Sequence, residues 1–324
     1  MTSFTLETVR WSSDAGRVNY HVHLPLERRF AVSQLTTLRW TLSHALNGFR
    51  RGGIPAIGLH LDRLRRIGLE HAIDLIQQSG LMVSSCGWIG GFTGGFGRNW
   101  DEVLREGKLL LWAASRVNAQ AVTVVTGPRG MHIRSHARRI VLAALEELAP
   151  FAETHGVRLA LQPMHPVVGP EWTFLHRLDD VLSLLADLRH PWVGLAYSPY
   201  HHWDEPNVVQ RIPEFAHTVA SVHLSDRAGV VRDANDRALP GDGELPLQQH
   251  IAALEAAGYR GLYELDPWSR DLWKRPPQGL IADCRRRFER LCQPLVPRCP
   301  PRCDDSSPAL PGATTTGARV WSLA

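Results

Sequence analysis

The sequence has few of the features that mark membrane, secreted or zinc-ribbon proteins. No stretch approaches the roughly 18 consecutive apolar residues of a membrane-spanning helix, and residues 1–17 show no apolar run behind a basic start. The 5 cysteines form no CxxC pair, which argues against a structural zinc site and for reduced thiols. We therefore expect no membrane partner, no secretory signal and a cytoplasmic location.

Motifs for nucleotides and nucleic acids are also missing. No GxGxxG turn follows the first predicted strand, so no nucleotide cofactor is expected. The net charge is +4, and the arginines are spread over helical segments without a basic stripe interleaved with aromatic residues. The sequence therefore predicts no nucleic-acid partner, and it leaves a small molecule as the expected ligand.

The main pattern in the 324 residues is a repeated βα unit. Short apolar or β-branched runs alternate with longer amphipathic stretches, which is typical of a parallel sheet covered by helices. The predicted strands lie at residues 18–24, 56–60, 82–86, 121–126, 159–162, 193–198, 220–224 and 262–266. Eight such units predict an α/β fold closed as a (β/α)8 TIM barrel, with an open doubly wound sheet as the alternative.

Glycine and proline mark the boundaries of these units. Helices are predicted, for example, at residues 62–79 and 136–155. Four glycines occupy the same place, after a helix and before a strand: Gly53, Gly80, Gly156 and Gly258. Glycine there adopts the left-handed conformation that ends a helix. From residue 294 onward proline and small polar residues dominate, so we predict a barrel domain over 1–293 and a disordered tail over 294–324.

Polar residues collect where the predicted strands end. In a barrel the residues that do chemistry come from these strand ends and the following loops. Histidine, the commonest acid/base and metal ligand, is frequent there. The candidates are His60, Gln162, His165, Ser198, His201, His202, His223 and Asp266. Aromatic residues such as Trp88 also follow strand ends, where a ring stacks on the apolar face of a sugar. For any one histidine, a packing role is the alternative.

Several segments resemble the sugar phosphate isomerase/epimerase family, which has the xylose isomerase-like barrel. They are LALQPMHP at 159–166, VGLAYSPYH at 193–201, VHLSD at 222–226 and LPGDGE at 239–244. The resemblance extends over residues 36–268. It implies one divalent metal held by glutamate, aspartate, histidine and glutamate on strands five to eight, with the glutamates as the acid/base pair. The residues here at those four positions are Gln162, Ser198, His223 and Asp266.

These four residues do not decide whether a metal is bound or which one. They include one carboxylate where the family has three, and Mg²⁺ and Mn²⁺ prefer carboxylate oxygens. One alternative is Mn²⁺ or Mg²⁺ at the four positions. Another is Zn²⁺ held by His223, Asp266 and one of His165, His201 and His202. The third is a site without metal.

The resemblance also suggests roles for individual residues. Because Gln162 does not transfer protons, a substitute acid/base is needed. The predicted catalytic residues are Asp266, His223, His165 and His201. Arg237 resembles an arginine that the family directs at substrate oxygens, with a salt bridge in its loop as the alternative. The predicted substrate-binding residues are Gln162, Ser198, Arg237, His202, His60 and Trp88.

Three functions stay open at this point. The first is an isomerase or epimerase that acts by proton transfer on a sugar, cyclitol or related polyhydroxy-carbonyl compound. The second is a metal-independent lyase, dehydratase or cyclase of a specialised biosynthetic pathway. The third is a ligand-binding barrel without catalysis. Members of the family often pair, so the resemblance also raises a homodimer as an option.

Overall fold

Eight parallel strands close into a barrel. The computed structural model of the protein describes residues 24–94 and 97–295. The barrel strands are β1 (Phe30–Ser33), β2 (Ala56–His60), β3 (Met82–Gly90), β4 (Ala121–Val125), β5 (Arg158–Leu161), β6 (Val193–Tyr197), β7 (Val219–Leu224) and β10 (Tyr263–Leu265). Their order around the barrel is β1, β10, β7, β6, β5, β4, β3, β2, and each neighbouring pair is parallel. The predicted fold class is confirmed.

Helices surround this barrel. They are α1 (Leu42–Arg51), α2 (Leu61–Arg65), α3 (Leu69–Ser79), α4 (Trp100–Arg116), α5 (Arg134–His155), α6 (Leu178–Leu188), α7 (Val208–Phe215), α8 (Leu247–Ala256) and α9 (Pro277–Cys292). In α5, the residues Val141, Leu145 and Leu148 are fully buried and lie four and three positions apart. That spacing places them on one helix face, which packs against the barrel.

The strands are buried on both sides, and their composition follows from this. All five residues of β4, with the sequence AVTVV, are buried, because one side faces the barrel interior and the other faces the helices. A parallel strand in this position has no solvent face, so it shows a continuous apolar run rather than alternation. This is why short apolar runs in the sequence located most of the strands.

The predicted helix ends agree with the structure, with one difference. Gly53, Gly80, Gly156 and Gly258 adopt positive φ angles of 70°, 70°, 66° and 88°. The predicted single helix at 62–79 is wrong, because it is divided into α2 and α3. Gly68 lies between them with a φ of 88°, which no α-helix contains. The predicted helix at 136–155 corresponds to α5.

The first barrel strand also differs from the prediction. It is β1, at Phe30–Ser33, which pairs with β10 on one side and β2 on the other. The predicted strand at 18–24 is therefore not the strand that closes the barrel, and all of it except Leu24 lies outside the described residues. A run of four residues directly after Arg28 and Arg29 gave little signal in the sequence. Most of the predicted tail, from residue 296, also lies outside the described residues.

A two-stranded antiparallel hairpin follows β7 at the carboxyl end of the barrel. It consists of β8 (Asp226–Arg227) and β9 (Arg237–Ala238). The side chain of Asp226 holds the hairpin, because its carboxylate accepts hydrogen bonds from the backbone N–H groups of Gly241 and Leu245 at 2.8 and 3.0 Å. The hairpin thereby fixes Arg237 next to the end of β10.

Within the described part of the chain, no helix combines the length and the apolar character that crossing a bilayer requires.

Candidate functional site

A small cavity lies inside the carboxyl end of the barrel. Its volume is about 10 Å³, roughly the space that one water molecule needs. Strands β2, β3, β4, β5, β7 and β10 contribute its lining, which consists of His60, Ser85, Gly87, Trp88, Thr123, Gln162, His223, Glu264, Asp266 and Trp268. The structure thus brings together five of the predicted site residues, which are His60, Trp88, Gln162, His223 and Asp266. We call this space the inner cavity.

Glu264 is a second carboxyl group in the inner cavity, and the sequence reasoning missed it. It lies two positions before Asp266, so both side chains point into the barrel. It pairs with His223 across the β10–β7 register. The hydroxyl groups of Ser84 and Ser85 donate hydrogen bonds to its Oε2 at 2.8 and 2.6 Å. The spacing of two in the segment YELD is the signal that could have identified it.

The surroundings of Glu264 are built to accept this side chain. Gly58, on β2, has no side chain at the point where the carboxyl group lies, and a Cβ atom there would overlap it. Burial raises the pKa of Glu264, since a charged carboxylate loses its water, while His223 and the two serines act in the opposite direction. Burial also lowers the pKa of His60 to about 3, with smaller contributions from Arg63 and His223.

Asp266 forms a buried ion pair with Arg237. Nη1 of Arg237 contacts Oδ2 of Asp266, and the two residues are 1% and 2% exposed. The guanidinium carbon lies 4.2 Å from the ring centroid of Trp268 and 4.9 Å from that of Tyr200. The backbone N–H of Arg237 donates to the carbonyl of Trp268 at 3.0 Å. Because each charge is desolvated, each depends on the other for compensation.

Unpartnered polar atoms surround this ion pair. Within the described protein, buried atoms of the pair and its neighbours without a hydrogen-bond partner include Arg237 Nε, Asp266 Oδ1, His201 Nδ1, Tyr200 Oη and Trp268 Nε1. His201 is in contact with the pair, since its Nε2 lies 3.5 Å from Nη2 of Arg237. Buried polar groups in folded proteins almost always bind something, so this group of atoms marks a site for a polar ligand or water.

His165 lies in the loop after β5 and is occupied by local contacts. Its Nε2 lies 3.1 Å from Oδ2 of Asp204, and its Nδ1 accepts a hydrogen bond from the backbone of Val167 at 3.2 Å. Its ring stacks on Trp203 with 3.6 Å between the centroids. Burial lowers the pKa of His165, while Asp204 opposes that shift. His165 does not line the inner cavity.

His202 has a similar place in the loop after β6. Its Nδ1 lies 2.7 Å from Oε1 of Glu205. The carboxylate of Glu205 also accepts a hydrogen bond from the backbone N–H of Leu178, at the beginning of α6, at 3.2 Å. His202 thereby connects this loop to a helix, and it is not part of the inner cavity lining.

A cleft next to the inner cavity is large enough for a ligand. It has a volume of about 320 Å³ and shares His60, Gly87 and Trp88 with the inner cavity. Trp88 lines both spaces. Its ring centroid lies 5.0 Å from that of Trp172 in the cleft and 5.2 Å from that of Trp268 in the inner cavity. The cleft lies at the carboxyl end of the strands, where barrel enzymes bind their substrates.

A larger cavity, of about 1430 Å³, lies at the opposite end of the barrel, and its lining includes Phe30, Pro55 and Met82. These residues stand where β1, β2 and β3 begin. The amino ends of barrel strands usually serve stability rather than chemistry. We therefore place the candidate site at the inner cavity and the adjoining cleft, despite the smaller volumes.

The residues at the predicted metal positions do not fit a divalent cation. Gln162, His223 and Asp266 line the inner cavity, but only Asp266 is charged, and Arg237 already compensates it. Ser198 is absent from the lining. Over residues 24–94 and 97–295, no group of three or more His, Cys, Asp or Glu side chains is arranged to hold a metal. Divalent cations need several anionic or imidazole donors around one point.

Among the described residues, the alternative zinc set does not form a metal-binding group either. Each of the three histidines that were candidates to complete it contacts another charged group: His165 contacts Asp204, His202 contacts Glu205, and His201 contacts Arg237.

Comparison with known proteins agrees with this fold. Inosose isomerase of Bacillus subtilis (strain 168) is 21% identical over 194 residues, which is 57% of this chain and 67% of the relative. A solved protein of Sinorhizobium meliloti 1021 superposes with a TM-score of 0.76 at 26% identity, covering 82% of this chain and 99% of that one. The IolI protein, solved with a bound zinc atom, has a TM-score of 0.73 at 16% identity, covering 83% and 99%.

The family itself is shown by a match over most of the chain. The sequence model of a family described as the xylose isomerase-like TIM barrel matches residues 50–290. This range includes β2 to β10, and therefore every residue that lines the inner cavity. The predicted resemblance is confirmed, and the chain belongs to the xylose isomerase-like TIM barrel family.

Proposed function

We propose that this protein is an isomerase or epimerase that moves a proton beside the carbonyl group of a sugar, cyclitol or related polyhydroxy-carbonyl compound. The observation that carries the proposal is that two carboxyl groups, Glu264 and Asp266, share one small cavity with His223. Two groups that exchange protons are what such a reaction needs. The inosose isomerase of Bacillus subtilis, which is similar to this chain, supports the same reaction class.

The two carboxyl groups have different environments, which suits different roles. Asp266 is paired with Arg237, and a carboxylate of this kind accepts a proton from the carbon beside a carbonyl. Glu264 is buried and hydrogen-bonded by serine hydroxyls, and its raised pKa favours the protonated form that returns a proton. Glu264 thereby supplies the second acid/base that Gln162 does not. His223 lies opposite Glu264 in the β10–β7 register and lines the same cavity, where it positions the substrate oxygen.

The polar and aromatic lining supports a polyhydroxy substrate. The cleft of about 320 Å³ falls within the range of small-molecule sites, and it is lined by Trp88 and Trp172 beside Asp62 and Arg98. Flat aromatic rings contact the apolar face of a sugar or cyclitol, while the polar groups bind its hydroxyls. Since the inner cavity holds about one water, it must widen towards the cleft for the reacting carbon to reach the carboxyl groups.

The test is proton exchange observed directly. The protein is incubated with inososes and with ketohexoses in D₂O, and both products and carbon-bound deuterium are followed by NMR. We expect deuterium at the carbon beside the carbonyl. We also expect a product that is an isomer of the substrate and differs from it in mass only by the incorporated deuterium. A product that has lost water would instead support a dehydratase. Binding without any exchange would support the non-catalytic barrel.

A cytoplasmic location and the pairing of two copies stay predictions from the sequence.

A further inference from the structure

We infer that Arg237 supplies the positive charge that the family resemblance assigns to a divalent metal, and that it binds the carbonyl oxygen of the substrate without one. The inference rests on the proposed function for the substrate class. It concerns the chain's own residues, and its metal-binding part is testable without knowing the substrate.

The charges at the site support this inference. Among the four predicted ligand positions only Asp266 is an anion, and Arg237 balances it, so the pair is neutral as it stands. A divalent cation added to the pair would leave a net charge of +2. Counting Glu264 as an anion would still leave +1. Placing uncompensated charge in a buried site is strongly unfavourable. The same site without metal has no such excess.

The guanidinium is held rigidly beside Asp266, which lines the inner cavity, although Arg237 itself is absent from that lining. Several contacts fix it in place. It pairs with Asp266 and lies against the rings of Trp268 and Tyr200, and the backbone N–H of Arg237 donates to Trp268. A fixed donor costs no reorganisation when charge develops on the substrate. Arg237 therefore has the rigidity that an electrophilic group needs.

The unpartnered atoms of the pair match the substrate class. Arg237 keeps one donor, Nε, and Asp266 keeps one acceptor, Oδ1. A carbonyl oxygen can accept from this donor, and the free oxygen of Asp266 is available for the proton on the neighbouring carbon, which is the role proposed for Asp266 above. The planar guanidinium directs its Nε–H while Nη1 holds Asp266, and a lysine ammonium does not reproduce this fixed arrangement.

The reaction step balances without a metal. A base takes the proton from the carbon beside the carbonyl, and the electron pair of that C–H bond moves to the carbonyl oxygen. The resulting enediolate oxygen is stabilised by the guanidinium. A proton then returns either to the same carbon on its opposite face, which restores the carbonyl, or to the former carbonyl carbon. In the second case the neighbouring hydroxyl passes its proton to the former carbonyl oxygen and becomes the new carbonyl. No electron is gained or lost overall, so no further reactant is required.

The first measurement is metal content and metal affinity of the full-length protein. It is purified without added metal, analysed for zinc, manganese and magnesium, and titrated with Zn²⁺ and Mn²⁺ by calorimetry. We expect less than a tenth of an equivalent and no stoichiometric binding. One equivalent of tightly held metal that is lost in His223→Ala would overturn the inference, whether or not a substrate has been found.

The second measurement tests Arg237 itself. Arg237→Ala is compared with Arg237→Lys, and with Arg227→Ala as a control from the same hairpin, because Arg227 pairs with the exposed Glu244. We expect Arg237→Ala to lower inosose exchange at least 100-fold, and methylguanidine to restore part of it. Arg237→Lys should lose more than tenfold and not respond to methylguanidine. Arg227→Ala should exchange like the unaltered protein.

Folding is checked by the melting temperature of each variant with and without methylguanidine. An Arg237→Ala protein that is folded, inactive and not restored by methylguanidine would overturn the role of the guanidinium, as would full activity of Arg237→Lys. If the unaltered protein exchanges no inosose or ketohexose, the proposed function fails, while the metal titration still decides whether this site replaces a metal.

Discussion

Gly58 and Glu264 face each other across the barrel interior, and the missing side chain of one makes room for the carboxyl group of the other. A Cβ atom on Gly58 would overlap both the Cδ and Oε1 atoms of Glu264. The two residues lie on β2 and β10, which are separated in the barrel by β1. A glycine at this position is therefore explained by a residue more than 200 positions away.

The substitution Gly58→Ala should destabilise the protein. The added methyl group forces the Glu264 side chain away from Ser84 and Ser85, and overpacking of this kind costs about 1–3 kcal/mol. Urea unfolding followed by circular dichroism measures the change. Gly279→Ala is the matched control, since Gly279 lies in α9 with nothing near its missing Cβ, and there we expect a gain of about 0.5–1 kcal/mol. Equal stability of both variants would contradict the packing described here.

The substitution Glu264→Gln should reduce turnover while the fold is kept. The amide oxygen can still accept hydrogen bonds from the serine hydroxyls, but the side chain no longer exchanges a proton. Loss of a positioned acid/base costs about 10²–10⁴ in rate. Steady-state kinetics should show this in kcat, with little change in KM.

Glu255→Gln is the control for Glu264, because Glu255 is a partly buried glutamate whose partner is Arg29, away from the inner cavity. We expect lower stability and unchanged kcat. If Glu264→Gln and Glu255→Gln had the same kcat, Glu264 would have no part in proton transfer.

His165 and His223, both predicted from the sequence as catalytic, should respond differently to the same substitution. His165→Gln removes the contact with Asp204 and the stacking on Trp203, so we expect the melting temperature to fall while kcat changes less than fivefold. His223→Gln alters the inner cavity and should lower kcat at least 50-fold. Kinetics and thermal unfolding of the two variants, measured side by side, make the comparison. A larger loss of kcat in His165→Gln would place catalysis in the loop instead.

Buried neutral histidines should make the protein less stable in mild acid. Burial lowers the pKa of His250 to about 4, whereas the unfolded chain has the ordinary value of 6.5. Below pH 6.5 the unfolded state therefore binds a proton that the folded state does not, and the free energy of unfolding decreases as the pH falls towards 4. The slope is at most about 1.4 kcal/mol per pH unit for each such group. His60 adds to it in the same direction.

Urea unfolding at several pH values between 7 and 4.5 measures this slope. His250→Gln should make it shallower, because the titrating group is gone. Tyr197→Phe is the control, since it removes the 2.6 Å hydrogen bond to His250 but leaves the buried imidazole in place. An unchanged slope in His250→Gln would show that other groups cause the acid sensitivity.

The sequence predicted most of the helices and strands because the residues that form or end each one are neighbours in the chain. Gly80 and Gly156 end helices because only glycine enters the left-handed region without strain, and this is visible from one residue and its neighbours. The strand β4 was recognisable from its own five apolar and β-branched residues. The first strand was not, although β1 is no shorter than β5 or β10; β1 is a strand because β10 and β2 pair with it on both sides.

The candidate site was predicted only in part. The strand ends predicted four of its residues, which are His60, Gln162, His223 and Asp266 at the ends of β2, β5, β7 and β10. A parallel barrel brings the carboxyl ends of all its strands to one face. Glu264 was missed, because it lies inside the strand rather than at its end. Its role depends on Ser84 and Ser85, about 180 positions earlier in the chain.

The sequence by itself determined the βα repeat, the barrel, the family and the face on which the polar residues meet, since these follow from hydrophobic pattern, turn residues and strand direction. Tertiary structure alone decided the pairings. It placed Arg237 against Asp266, His165 against Asp204, and Gly58 against Glu264. The physical reason is that charge compensation, desolvation and packing depend on distances between side chains, and residues far apart in the chain acquire those distances only when the barrel closes.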